Sequence, residues 1–526
     1  MTTLGARRDH RRGMRAIAVA SLALAALPLT GCLQLLPEIP GLPGTGAEEL
    51  PPVESMIEGT IEGFQSQEPR WQPCEDGLQC ADVEAPLDWS DTGGDRISLS
   101  LVKQPAQGGE AVGTLFLNPG GPGASGVDYL VGSVDRIVQE PVREAYDVIA
   151  WDPRGVGGST PVGCLDAPEL DEYLFGLSEG EDLEVGSNAW IKAAAEESAE
   201  FGRACLERTG PLLAHVDTAS TVQDLDMLRA IVGDTKLNYL GFSYGTYIGA
   251  RYADAYPERV GRLVLDGAID PSTSEFEVVR EQTQGFELAL RAYVEDCLSK
   301  RSCPFSGSVD GAMQRIGALL DAVDETPLRG SDGRMLSSGT MLTAIITPLY
   351  SQSNWPYLDQ LFTSVAEGDA DVALALADFY YSRENGSYAD NSTEAFLAIN
   401  CLDYPNDLDV NRMRAQAAEL EEVAPTIGRF QGYGDIFCAA WPVDGVEERT
   451  GVTAAGADPI LVVGTTGDPA TPYRWAEALA EQLESGVLLT YEGEGHTAYG
   501  KNACVDAIVD EYLLTGAVPA GGARCS

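Results

Sequence analysis

Histidine is scarce in this chain: 526 residues contain only three, His10, His215 and His496. Basic side chains are few as well, with 34 Lys and Arg against 81 Asp and Glu, a formal net charge of −47. Such a surface repels nucleic acid and anionic lipid headgroups and excludes both as electrostatic partners. The acidity reads first as solvated surface, and second as a field favouring cationic groups such as a free amino terminus. No Cys-x-x-Cys and no His-Glu-x-x-His occurs, so no metal is expected. Beyond the N-terminal segment, no apolar run is long enough for a membrane-crossing helix.

What is present centres on Gly241-Phe242-Ser243-Tyr244-Gly245. The apolar run 237–240 before it reads as a buried strand, and 246–252 after it reads as a helix. A serine between two glycines at a strand-to-helix corner is a nucleophile elbow, the signature of α/β-hydrolases. The turn strains the serine backbone and needs small neighbours. The helix behind it favours developing negative charge. The competing reading is a glycine-rich turn with an exposed serine.

A serine needs a base to accept its proton. His10 lies in a segment expected to be removed. His215 precedes the serine, in Leu213-Ala214-His215-Val216-Asp217, where it reads as a packing or capping residue. His496 follows the apolar run 487–491 in Glu494-Gly495-His496-Thr497, a loop after a strand, and is the expected base. In this fold the order is serine, acid, histidine. Between Ser243 and His496, the strand-like run Ile460-Leu461-Val462-Val463 leads into Gly467-Asp468-Pro469, so Asp468 is the expected acid. Taken alone, it reads equally as an ordinary Asp-Pro turn.

Two backbone N–H groups should stabilise an oxyanion: that of Tyr244, and one from Asn118-Pro119-Gly120-Gly121-Pro122-Gly123, with Gly121 preferred over Gly120. Gly121-Pro122-Gly123-Ala124-Ser125-Gly126 also fits a dinucleotide fingerprint, with Asp152 ending the next strand. Pro122 removes an N–H from that cradle, and the fingerprint leaves the ordered serine, aspartate and histidine unexplained. No cofactor is therefore expected.

The Asn118–Gly123 loop, Trp151-Asp152-Pro153-Arg154-Gly155, the Ser243 pentapeptide, Gly464-Thr465-Thr466-Gly467-Asp468 and Ala398-Ile399-Asn400-Cys401-Leu402-Asp403 resemble the actinobacterial tripeptidyl-aminopeptidase-like hydrolases. These are relatives of prolyl aminopeptidases. The likeness covers about residues 70–526. It implies a serine mechanism, with aminopeptidase, endopeptidase and esterase activities all found within the family. Pro119 stands after Asn118 where prolyl aminopeptidases usually carry histidine before the glycines, which speaks against a strictly proline-releasing enzyme.

Arg7, Arg8, Arg11, Arg12 and Arg15 precede the short apolar run 16–27, and then Leu29-Thr30-Gly31-Cys32 resembles a lipobox. Residues 1–31 are read as a lipoprotein signal peptide and Cys32 as the lipidated residue, giving an extracytoplasmic, membrane-anchored protein. A plain secretory peptide is the competing reading. Setting Cys32 aside leaves ten of 11 cysteines. In an oxidising compartment they should pair. Local spacing suggests Cys74–Cys80 and Cys297–Cys303. Cys164–Cys205, Cys401–Cys438 and Cys504–Cys525 follow by chain order, which spacing alone does not settle.

Strand-like runs at 97–102, 114–117, 148–151, 237–240 and 262–265 alternate with helical patterns, which argues a mostly parallel sheet. Strand signals vanish from 271 to 455 and return at 460 and 487. The expected organisation is a Pro/Gly-rich tether at 32–70, an α/β-hydrolase body at 71–270 and 456–526, and a helical cap at 271–455 between the nucleophile and acid strands. A cap acid could bind a substrate ammonium. Asp403, held near Cys401, is the candidate, with a structural acid as the equal alternative and Glu275, Glu277 and Glu281 unranked. The expected function is an exo-acting serine peptidase on peptide or protein substrates. The rivals are a carboxylesterase and a catalytically idle envelope binding protein. The oligomeric state is not legible.

Overall fold

The computed structural model describes residues 57–176, 183–405, 408–445 and 449–526. The signal peptide, Cys32 and most of the expected tether lie outside these. Ten strands form one sheet: β1 (Gln72–Pro73), β2 (Gln79–Pro86), β3 (Arg96–Gln104), β4 (Thr114–Asn118), β5 (Asp147–Trp151), β6 (Leu237–Phe242), β7 (Val260–Asp266), β8 (Ile460–Gly467), β9 (Gly486–Glu494) and β10 (Ala523–Cys525). Their order is β1-β2-β3-β5-β4-β6-β7-β8-β9-β10. The first three pairings are antiparallel and every later one is parallel. This is the α/β-hydrolase sheet.

The central strands carry apolar side chains on both faces because helices cover both. Phe116, Ile149, Tyr239, Leu263 and Val462 face one core with the helices Thr218–Ile231, Tyr244–Ala255 and Tyr473–Gln482. Leu115, Val148, Leu240, Val264 and Leu461 face the other with Gly126–Ile137 and Ala503–Thr515.

The end of the expected tether, 57–70, belongs with the body instead. Residues 57–70 already pack on the body: Phe64 is fully buried, and Gln67 brackets the backbone of Glu84, donating to its carbonyl at 2.7 Å and accepting from its N–H at 2.8 Å.

The inserted stretch is helical apart from two short hairpins, Leu328–Arg329 with Met335–Leu336 and Arg383–Glu384 with Ser387–Tyr388. It divides in two. Helices Glu275–Leu298, Val309–Glu325, Ser338–Leu349, Trp355–Ala366 and Asp371–Tyr380 enclose a core of their own. The later helices, Ser392–Asp403 and Asp435–Ala439, instead share the core under the sheet, with Phe201 and Cys205 of the helix Asn188–Thr209. A segment ahead of the nucleophile strand therefore supports the cap. Arg383 pairs with Asp171 at 2.7 Å across this junction.

Five disulfides join Cys74–Cys80, Cys164–Cys205, Cys297–Cys303, Cys401–Cys438 and Cys504–Cys525. Among the described residues, no helix is long and apolar enough to cross a membrane.

Candidate active site

Ser243 leaves the C-terminal end of β6 with φ 53° and ψ −124° and caps the helix Tyr244–Ala255. A non-glycine residue in this region is strained and persists only where its surroundings impose it. The surroundings are tight. A Cβ on Gly241 would lie 2.5 Å from the Gly245 carbonyl oxygen, and one on Gly245 would lie 2.7 Å from that of Asn118. The glycines are thus required by close approach. The Ser243 N–H donates to the Asp266 carbonyl at 2.9 Å, and Ser243 O accepts from the Thr246 N–H at 2.8 Å, holding the turn from both sides.

Asp468 follows β8 and His496 follows β9, which are parallel neighbours. The carboxylate oxygens of Asp468 lie 2.8 and 2.9 Å from His496 Nδ1. They also accept from the Ala470, Thr471 and Thr497 N–H groups at 2.9, 2.9 and 3.1 Å, and from Thr471 Oγ1 at 3.0 Å. Five donors fix the plane of this buried carboxylate. With Nδ1 facing Asp468, the other ring nitrogen, Nε2, has no hydrogen-bond partner among the described residues although it is buried. That is the arrangement a base requires, since Nε2 stays available for a serine proton.

The histidine loop is itself constrained. Thr497 has φ 64°, an outlier for a β-branched side chain. The His496 N–H donates to the Tyr350 carbonyl of the cap at 2.9 Å, and the Tyr350 ring meets the imidazole edge-on at 5.6 Å. Lys501 donates to the His496 carbonyl and, at 2.9 Å, to Thr497 Oγ1. Asp266, ending β7, accepts from the Ala498 and Tyr499 N–H groups, the latter at 2.8 Å. Burial pushes the Asp266 pKa up to about 6, opposed by those N–H bonds and by Lys501. Asp266, Lys501, Thr471 and Tyr350 were not anticipated. Asp266 ends the apolar strand β7 much as Asp468 follows β8, yet the sequence points to Asp468 alone as the expected acid.

The loop after β4 lies against the elbow. A Cβ on Gly120 would come 3.0 Å from both Ser243 Cβ and Tyr244 N. The Gly120 N–H is engaged with Asn118 Oδ1 at 2.9 Å, whereas no hydrogen bond among the described residues uses that of Gly121. A Cβ on Gly123 would sit 2.7 Å from the Ser392 carbonyl of the cap, so this glycine serves cap packing. Asp152 accepts from Ser125 Oγ at 2.7 Å and the Gly158 N–H at 2.8 Å, tying this loop to the one after β5. Arg154 is buried and bidentate to Asp224, both contacts 2.7 Å. It also donates to the His215 carbonyl at 2.9 Å, which leaves His215 in a supporting position.

Asp403 does not stand free for a substrate. It is buried, accepts from the Thr218 N–H at 2.8 Å and Oγ1 at 2.5 Å, and faces Arg449 at 3.9 Å. Burial pushes its pKa up to about 6, against Arg449 and Thr218. Of the other cap acids, Glu277 caps its own helix through Ser274, and Glu281 holds Arg474 at 2.8 Å and Trp475. Glu275 is half-buried and takes no hydrogen bond among the described residues. Burial drives its pKa up to about 8, with Asp435 adding to the shift and Arg449 and Arg412 opposing it.

The sheet order, the strained serine after β6 and the Asp–His pair after β8 and β9 define an α/β-hydrolase of the serine type. A family model described as "TAP-like protein" matches residues 424–525. Serine protease Hip1 of Mycobacterium tuberculosis is 34% identical over 527 residues, spanning 96% of each chain. Carboxylesterase B of the same species is 34% identical over 525 residues, covering 97% of this chain and 96% of its own. The tripeptidyl aminopeptidase of Streptomyces lividans is 30% identical over 459 residues, covering 85% and 84%. The chain belongs to the tripeptidyl-aminopeptidase-like serine hydrolases, and it is an enzyme.

Proposed function

We propose that the protein is an extracytoplasmic, lipid-anchored serine peptidase that releases short segments from the amino terminus of peptides. The observation that carries the mechanism is the His496 imidazole, held at Nδ1 by Asp468 with Nε2 unbonded among the described residues, together with the strained elbow of Ser243. Ser243 Oγ attacks the scissile carbonyl while His496 Nε2 takes its proton. The imidazolium is stabilised by Asp468. The Tyr244 and Gly121 N–H groups receive the oxyanion. Collapse expels the amine, which takes the proton from His496, and leaves an acyl-Ser243 that water hydrolyses by the reverse proton path.

The exo-acting assignment draws on the aminopeptidase relative and on Glu275. That acid begins the cap helix whose Gln282 donates to Ala470 O at 2.7 Å, beside the Asp468 turn. A half-buried carboxyl without a hydrogen bond suits an ammonium, which would restore its charge. Asp403 is already engaged, so the ammonium role passes to Glu275. The lipid anchor rests on the Leu29–Cys32 pattern.

The test compares one good peptide substrate with free and acetylated amino termini, beside a short acyl ester. Loss of a charge-assisted contact should lower kcat/KM of the acetylated form about tenfold or more. Equal rates on the two peptides would defeat the exo-acting assignment. A carboxylesterase is the second reading, favoured by the carboxylesterase relative at the same 34% identity. Rapid ester turnover without peptide cleavage would establish it.

A further inference from the structure

A short chain of buried hydroxyls links the inserted helix Ser392–Asp403 to the residue after the nucleophile. Asp403 is the last residue of the cap helix Ser392–Asp403, pinned two residues earlier by Cys401–Cys438. Thr218 is the first residue of the helix Thr218–Ile231 in the body. Tyr244 opens the elbow helix. All three are buried.

The proton directions follow from counting donors. A threonine hydroxyl has one proton, and Thr218 Oγ1 lies 2.5 Å from Asp403 Oδ2, an acceptor when ionised. The remaining contact of Oγ1, a short one to the Tyr244 hydroxyl, must then be donated by the tyrosine. The Thr218 N–H donates to Asp403 Oδ1 at 2.8 Å, so threonine and aspartate lock in a two-point fit. Arg449 faces Asp403 at 3.9 Å and is held between the rings of Tyr247 and Tyr404, at 4.0 and 3.9 Å. Its charge keeps the carboxylate a strong acceptor in a site where burial favours the neutral acid.

We propose that Asp403 and Thr218 are positioning residues for Tyr244, coupling the inserted helix Ser392–Asp403 to oxyanion stabilisation at Ser243. This rests on the Tyr244 N–H being an oxyanion donor, as proposed above. An oxyanion donor works only within a few tenths of an ångström of its place. Tyr244 has two anchors: its backbone at the start of the elbow helix, and its hydroxyl at the far end of a rigid ring. Releasing the hydroxyl lets the ring, and the peptide that carries it, relax. Because the final acceptor ends an inserted helix packed into the core under the sheet, a shift of that helix would loosen the oxyanion site without touching Ser243, His496 or Asp468.

The experiment uses Tyr244→Phe, Thr218→Val, Thr218→Ser and the Tyr244→Phe/Thr218→Val double variant of the full-length protein. Tyr244→Phe leaves the Thr218–Asp403 pair satisfied and so keeps the test open should Thr218→Val misfold. Readouts are kcat and KM on a short acyl ester and the rate of phosphonylation by a fluorophosphonate. The expected result is a fall in kcat and in phosphonylation of roughly ten- to a hundredfold with KM within about twofold. Thr218→Ser should restore the rate, and the double variant should be no worse than the poorer single one. Full kcat in folded Tyr244→Phe would overturn the proposal, as would failure of Thr218→Ser to restore the rate. Ser243→Ala serves as the control. If it turns over substrate, the active-site assignment itself fails. If it is inert while Tyr244→Phe runs at full rate, only the positioning role fails.

Discussion

His496 Nδ1 lies 2.8 and 2.9 Å from the two carboxylate oxygens of Asp468, while the carboxylate of Asp266, an equally buried acid on the neighbouring strand, bonds among the described residues only to the backbone of the same loop. One acid can steer the imidazole's charge, and the other sets where the loop runs. The two are separable by mutation.

Ser243→Ala and His496→Ala should each lower kcat by about 10⁴-fold or more, and Asp468→Asn by a comparable factor, without additivity in combinations. Asp266→Asn keeps the oxygen that accepts the loop amides and should lose far less. Steady-state kinetics on an ester, with fluorophosphonate labelling of Ser243, checks the ranking. Appreciable turnover by purified Ser243→Ala would sink the mechanism.

Glu275 should make stability fall with rising pH. Its folded pKa is raised, from 4.5 to about 8, by burial. The neutral acid is thus favoured in the folded state. Its contribution is fully present below 4.5 and is lost as pH climbs through about 8. Glu275→Gln is neutral throughout. The difference in Tm between variant and parent should be constant below 4.5 and then move in favour of the variant up to about pH 8. A difference independent of pH across that window would contradict the assignment.

Arg154 and Asp224 are both fully buried and bidentate. Removing one partner strands a buried charge. Arg154→Met or Asp224→Asn should therefore cost about 3–5 kcal/mol in urea unfolding. Replacing both with apolar residues of similar size should cost less than the sum of the two.

The five disulfides engage ten of the 11 cysteines, leaving Cys32. If Cys32 carries lipid, the denatured mature protein should show no free thiol, and mass spectrometry should find a modified cysteine at its N-terminus. Cys32→Ser should release the protein from the membrane or leave its leader uncleaved. An unmodified start elsewhere would reduce Cys32 to an ordinary residue.

Much of this was legible in the sequence. Strands β4 to β8 are buried on both faces, so they write themselves as continuous apolar runs. The family segments coincide with tight geometry. Gly241 and Gly245 are glycine because carbonyl oxygens lie where a Cβ would be. β1, β2 and β10 escape sequence patterning: β2 alternates irregularly and ends in Pro86, while β1 spans two residues and β10 three.

The sequence by itself determined the fold class and the family, and it carries the expected order of serine, acid and histidine, because each is written in local runs and fixed motifs. Only the tertiary structure decided that Asp266 holds the histidine loop, that Asp403 is held by Thr218 rather than left for a substrate, and that the inserted stretch splits between two cores. These are contacts across long separations, 185 residues in the case of Asp403 and Thr218. No periodicity records them, since two residues so far apart become neighbours only when the elements between them have packed.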